Sequence, residues 1–380
     1  MHHLKLRITI LFLAVIVFSS CNSQKGNNNC LVPGELWNDT EGVHINAHGG
    51  GIIFNEGIYY WFGEHKTAGR DGNTALVGVG CYSSKDLIKW HNEGIALEVS
   101  NNPQSEITKG CVIERPKVIY NQKTDQYVMW FHLELKGKGY HAAKTGVAVS
   151  KNITGPYTFI SSYRPNAGKW PINYNGRRIG IDEMNQYEWW TEPFDSAVVD
   201  GLILRRDFEK GQMSRDMTLF VDDDGRAYHI HSSEENLTLH ISELSDDYLS
   251  FKDDWVRVFP MGHNEAPAIF KRKNKYYMIT SGCTGWDPNE ARLAVADSMM
   301  GEWHYIGNPC VGEHSDKTFF SQSTYVIQLT NENDAYIFMA DRWEPSNPID
   351  GRYVWLPIRF ENNLPIIEWR DEWDLTFFER

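Results

Sequence analysis

The stretch "MGHNEAPAIFKRKNKYYMI", Met261 to Ile279, decides the fold. It reads as a short apolar strand, a polar turn and a second alternating strand, which is the pattern of a β-hairpin, and one carboxylate, Glu265, sits at its mouth. Four other stretches follow the same plan: "GGGIIFNEGIYYWFGE" from Gly49, "RPKVIYNQKTDQYVMWFHLE" from Arg115, "MTLFVDDDGRAYHIHSS" from Met217 and "STYVIQLTNENDAYIFMAD" from Ser323. Each is followed by a third strand of similar style, as in "LVGVGCYSS", "TGVAVSKN" and "LTLHISEL". A fourth often carries tryptophan or tyrosine, as in "WVRVF" and "WHYIGN". The unit is a four-stranded antiparallel sheet repeated five times. Repeated radially, it predicts an all-β fold, a five-bladed β-propeller whose first strands line a central channel.

If the first strand of each blade lines the channel, the residues at the five strand starts converge on one spot. They are His48, Glu114, Asp216, Glu265 and Gln322. A single carboxylate at a strand start is usually solvated or salt-bridged. Three acids and an amide at equivalent positions point instead to a site. By contrast, Asp222 to Asp224 in "VDDDGR" reads as a turn, because Asp-Gly is what a tight hairpin requires.

The rest of the chain limits what such a site can bind. The 380 residues carry a net charge of -13 with scattered lysines and arginines, which argues against a nucleic-acid groove or a basic membrane-binding face. Fourteen tryptophans and eighteen tyrosines fit a neutral, sugar-like ligand, although aromatics also build β cores. The segment "MHHLKLRITILFLAVIVFSSC" has Lys5 and Arg7, an apolar run and small residues before Cys21. It reads as a signal peptide over residues 1–20 with a lipid on Cys21, so membrane contact is expected only through that lipid, on an exported bacterial lipoprotein. Residues 21–30 form a polar tether, and 31–380 form one propeller with an insertion at about 163–213, expected over one face. Cys30, Cys81, Cys111, Cys283 and Cys310 show no CxxC pair, which excludes a zinc site of that type and leaves any disulfide pairing open. No metal or cofactor is expected. His48 and His263 are read as hydrogen-bonded structural residues.

Carboxyls clustered in a neutral, aromatic-rich pocket suit glycoside hydrolysis. That reaction needs one carboxylic acid of raised pKa, a second group on the opposite sugar face and often a third to tune the first. With its leader, five hairpin-led blades and acids at the strand starts, the chain resembles glycoside hydrolase family 43, the inverting five-bladed propellers, from about Leu31 to Arg380. The family's usual pattern has an Asp base in the first blade, an Asp modulator in the third and a Glu acid in the fourth. Asp216 and Glu265 match the last two, whereas "NAHGGGI" offers His48 and glycines in place of the first. That departure, with "WFGEHK", "ERPKV" and "SQST", is similar to the exo-acting β-1,3-galactanases. The resemblance implies Glu265 as acid, Asp216 as modulator, Gln322 in the base position and Glu114 binding a terminal galactose. It also implies sugar contacts from Glu64, Tyr140, Asn236 and Thr284. An ordinary amide is a poor base, so Gln322 can orient a water more readily than deprotonate it.

The sequence is compatible with three readings. They are an exo-β-1,3-galactanase, a related inverting α-L-arabinofuranosidase or β-D-galactofuranosidase, and a carbohydrate-binding lipoprotein without catalysis. In each the partner is a polysaccharide or oligosaccharide.

Overall fold

The computed structural model describes residues 29–178, 184–329 and 334–379. The leader and Cys21 lie outside these residues. Blade 1 is β1 (His48–Asn55), β2 (Ile58–His65), β3 (Gly78–Ser84) and β4 (His91–Glu98). Blade 2 is β5 (Val112–Asn121), β6 (Gln126–Glu134), β7 (Lys144–Ser150) and β8 (Thr158–Tyr163). Blade 3 is β9 (Met217–Val221), β10 (Ala227–Ser233), β11 (Thr238–Leu244) and β12 (Phe251–Val258). Blade 4 is β13 (Glu265–Arg272), β14 (Lys275–Ser281), β15 (Arg292–Ala296) and β16 (Trp303–Gly307). Blade 5 is β17 (Cys310–Val311), β18 (Gln322–Gln328), β19 (Tyr336–Arg342), β20 (Arg352–Glu361) and β21 (Leu364–Glu368).

Blades 1 to 4 are four-stranded antiparallel meanders. Blade 5 departs from the expected four strands, because the short β17 adds in parallel to the outer edge of β21. The added strand covers backbone groups that an outer edge would otherwise leave unpaired. The first strands contact one another in a closed ring, β1 to β5 to β9 to β13 to β18 and back to β1. Alternation then sends every second side chain of each blade into a neighbouring blade. Trp61, Trp90, Tyr353 and Trp355 pack together in this way between blades 1 and 5.

The wedge between blades 2 and 3 is different, because β10 and β11 turn His229, His231, His240 and Ser242 into it and all four are buried. The insertion covers this polar wedge, and Asn166 Nδ2 donates to Ser242 Oγ at 2.9 Å. It contains two short helices, α1 (Glu192–Val199) and α2 (Leu202–Asp207). Phe194, Val198, Leu202 and Ile203 pack on Leu237, while Tyr174 and Leu204 pack on Trp255, so the insertion is seated on blade 3. Both of its ends hold the loop between β6 and β7. Arg164 donates to the carbonyls of Ala142 (2.9 Å) and His141 (2.8 Å), and Arg215 donates to that of Tyr140 (2.9 Å). Cys81, Cys111, Cys283 and Cys310 form no disulfide. No helix among the described residues is long and apolar enough to cross a membrane.

Candidate active site

At their starts, four of the five channel-lining strands skip register. The breaks fall between His48 and Gly51, Glu114 and Lys117, Glu265 and Ala268, and Ser323 and Tyr325. A bulge of this kind bends the strand and re-aims the side chain beside it. In blades 2 and 4 the skipped pair ends in proline, Pro116 and Pro267, which has no N–H to leave unpaired. The residue after each carboxylate is left-handed, with φ of 56° at Arg115 and 52° at Ala266. Such a conformation is costly for non-glycine residues and is characteristic of functional sites.

These turns bring the expected residues together. A cavity of about 260 Å³ at the channel mouth is lined by Glu64, Glu114, Tyr140, Asp216, Asn236, Glu265 and Gln322. Arg115, His132, Arg215, Trp286 and Trp343 complete much of the wall. Three of the residues considered above lie elsewhere. Thr284 does not line this cavity, because its hydroxyl is used inside its own loop, accepting from Asn289 Nδ2 at 2.6 Å and donating to the Asp287 carbonyl. His48 is fully buried beneath the site, stacked on Trp343, with its pKa lowered to about 3 by burial. His263 packs against Trp190 from the insertion, its ring tilted by 30°.

Glu265 has the electrostatics of a proton donor. Burial foremost, then the neighbouring charge of Asp216, raise its pKa to about 7 against the opposing pull of Arg115. Asn236 Nδ2 donates to Glu265 Oε1 at 2.7 Å and fixes the carboxyl. Arg115 joins the remaining groups. Its guanidinium donates to the carbonyl oxygen of Gln322, lies 3.0 Å from Asp216 Oδ2 and donates to the Ser323 carbonyl at 2.9 Å. Arginine only donates, so the Gln322 oxygen must face it, and Nε2 then donates to Ser281 Oγ at 2.8 Å.

Glu114 is held in the opposite charge state. Tyr140 Oη donates to Oε1 at 2.7 Å, and His132 Nδ1 meets Oε2 at 3.0 Å. The other ring nitrogen of His132 meets Glu134 Oε1 at 3.0 Å, and Glu134 also accepts the Ala143 N–H. Two carboxylates around one imidazole raise His132 to about 9 despite its burial. Burial opposes ionisation of Glu114, but His132 overcomes it and leaves the pKa at about 2. Glu114 therefore accepts hydrogen bonds across the whole neutral range. Glu114, His132 and Asp216 bring three potential metal-ligand atoms within 4.8 Å. A doubly donating imidazolium, however, has no lone pair to offer an ion.

Glu64 pairs with Lys66, and its Oε1 accepts the Arg115 N–H at 2.9 Å. A Cβ at Gly49 would fall 2.2 Å from that same oxygen, so the space for a first-blade side chain there is already filled by Glu64. Arg115, His132 and Glu134 were not among the expected residues. Their signal is present in "ERPKV" and "WFHLE", where charges alternate along otherwise apolar strands that are buried on both faces.

A solved GH43 β-1,3-galactosidase bound to galactodeoxynojirimycin is 55% identical, with a TM-score of 0.89 over 91% of this chain and 100% of that one. The chain belongs to glycoside hydrolase family 43. The family description "Glycosyl hydrolases family 43" matches residues 190–373. An exo-β-1,3-galactanase from Phanerochaete chrysosporium, solved with β-1,3-galactotriose, is 32% identical, with a TM-score of 0.72 over 91% of this chain and 68% of that one. A β-D-galactofuranosidase from Aspergillus niger is 25% identical over 61% of this chain, which spans 58% of that relative's length.

Proposed function

We propose that this family 43 glycoside hydrolase releases terminal galactose from β-1,3-galactan, the backbone of arabinogalactan, by an inverting mechanism. The observation that carries the reading is Glu265, a carboxyl of pKa about 7 whose neighbour Asp216 is bound to the same arginine that holds Gln322. In this scheme Glu265 protonates the leaving oxygen, Gln322 orients a water on the opposite face, and Asp216 tunes Glu265. Glu114, permanently ionised, accepts hydroxyls of the terminal galactose, with Glu64, Tyr140 and Asn236 around it. The similarity to β-1,3-galactosidases supports the choice of sugar.

The test is incubation with β-1,3-galactan, arabinan and a β-galactofuranoside, followed by identification of the released sugar. Galactose from β-1,3-galactan alone is expected. Release only from the galactofuranoside would favour the activity of the Aspergillus relative, and no release at all would favour a binding protein. Export as a lipoprotein is part of the same proposal. Labelled palmitate should appear on the mature chain, and its absence would remove the membrane anchor from the scheme.

Asp216→Asn provides a pH test. The competent form of Glu265 is protonated, so activity is present below its pKa and is lost as pH rises through about 7. Removing the Asp216 charge, and freeing Arg115 to act on Glu265, both lower that pKa. The alkaline limb of kcat/KM should move to lower pH. An unmoved limb would show that Asp216 does not tune the acid.

A further inference from the structure

Trp190 precedes α1 in the insertion and is 65% exposed, with its ring 5.2 Å from that of His263 at 30°. Trp189 beside it is 41% exposed and lies 4.6 Å from the Phe194 ring. The buried anchors of the insertion are Phe194, Val198, Leu202 and Ile203, so seating the segment does not require exposed indoles. Trp190 also has φ of 65°, a strained conformation for a bulky residue. Such backbone strain recurs at ligand-binding positions as well as in turns, and here it displays the ring to solvent.

The position of this ring relative to the reaction follows from its neighbours. His263 lies two residues before Glu265, and its N–H meets the carbonyl of Leu237 at 3.4 Å, next to the Asn236 that holds Glu265. A general acid delivers its proton to the leaving oxygen, so the remainder of the substrate departs on the Glu265 side. Trp190 does not line the catalytic cavity, and its contact with His263 puts it outside that cavity on the Glu265 side. The charge around it selects the kind of chain. In the sequence Glu188, Glu192 and Asp195 flank the two indoles without a lysine or arginine between Met184 and Leu204, and on the His263 side Asp195 is balanced by Arg292, which donates to the His263 carbonyl at 3.1 Å. Acceptors beside an open indole face suit a neutral polyhydroxylated chain and repel an anionic one.

We propose that Trp190, with Trp189, is an aromatic platform that binds the neutral galactan chain beyond the first leaving sugar. This rests on Glu265 being the acid of a galactan-cleaving enzyme. Trp190→Ala should raise KM for long β-1,3-galactan by about fivefold to tenfold while leaving β-1,3-galactobiose turnover unchanged. An equal loss on both substrates, or no change on the polymer, would overturn the platform. A second measurement needs no turnover. The Glu265→Gln protein should be retarded in a gel containing β-1,3-galactan, and adding Trp190→Ala should abolish the retardation. Equal migration of the two proteins overturns the platform, as does dimerisation that Trp190→Ala abolishes, since the indoles would then serve a second copy of the chain. Failure of the unaltered protein to cleave galactobiose would instead overturn the activity proposed above, which separates the two failures.

Discussion

Glu265→Gln should lower turnover by about a hundredfold to ten-thousandfold while leaving oligosaccharide affinity close to that of the unaltered protein. The amide keeps the volume of the carboxyl, and its oxygen can still accept the 2.7 Å bond from Asn236. What it lacks is a proton that can be transferred to the leaving oxygen. A galactan leaving group is a poor one and needs that proton, so the loss should be greatest on the natural linkage and smaller on an activated aryl galactoside. The variant should also lose the alkaline limb near pH 7, because the titrating group is gone. Near-normal galactan turnover would remove Glu265 from the acid role and with it the mechanism.

Gln322→Ala should cost a similar factor, about a hundredfold or more, but with a different signature. Truncation removes the acceptor of the Arg115 bond and the donor to Ser281, and leaves room where the attacking water would sit. Azide should enter that space and restore part of the rate, giving α-galactosyl azide from a β-linked substrate, since attack comes from the face opposite the leaving group. In the unaltered protein the first sugar released should be α-galactose, followed by proton NMR before mutarotation. β-Galactose as the first product would require a covalent intermediate on a carboxylate, and would show that Gln322 does not occupy the water's side.

The propeller was legible because its unit repeats. Five hairpins with polar turns leave few alternatives, and the repeat brings their strand starts into register with one another. The fifth strand of blade 5 was not legible, because Cys310 and Val311 are too short to carry a pattern. At the site, Glu114 and Glu265 announce themselves through the shared Glu-x-Pro, in which the proline marks the bulge that turns each carboxyl into the cavity. Thr284 lies outside the cavity lining with its hydroxyl bonded inside its own loop, an arrangement that depends on the chain returning at Asn289 and not on the local sequence. His132 and Glu134 were missed because their meaning depends on a partner across the sheet. Glu114 faces His132 only through the β5–β6 register.

The attachment of the insertion has a consequence for how such an enzyme can be altered. The segment leaves and returns beside the same loop, tied there by Arg164 and Arg215, and that loop carries Tyr140 against Glu114. Its ends are thus part of the chassis that shapes the terminal-sugar pocket, as are the buried anchors Phe194, Val198, Leu202 and Ile203 in its middle, while the exposed Trp189 and Trp190 are not. On the platform proposed above, exchanging Trp189 and Trp190 alone would change reach along a polymer, whereas exchanging all of Met184 to Leu204 would also remove the anchors that pack on Leu237 beside Asn236. Cutting the whole excursion would loosen the pocket itself. With that platform, polymer preference and sugar choice would be set by different side chains of one excursion, the first by two exposed indoles and the second by the arginines that tie the excursion down.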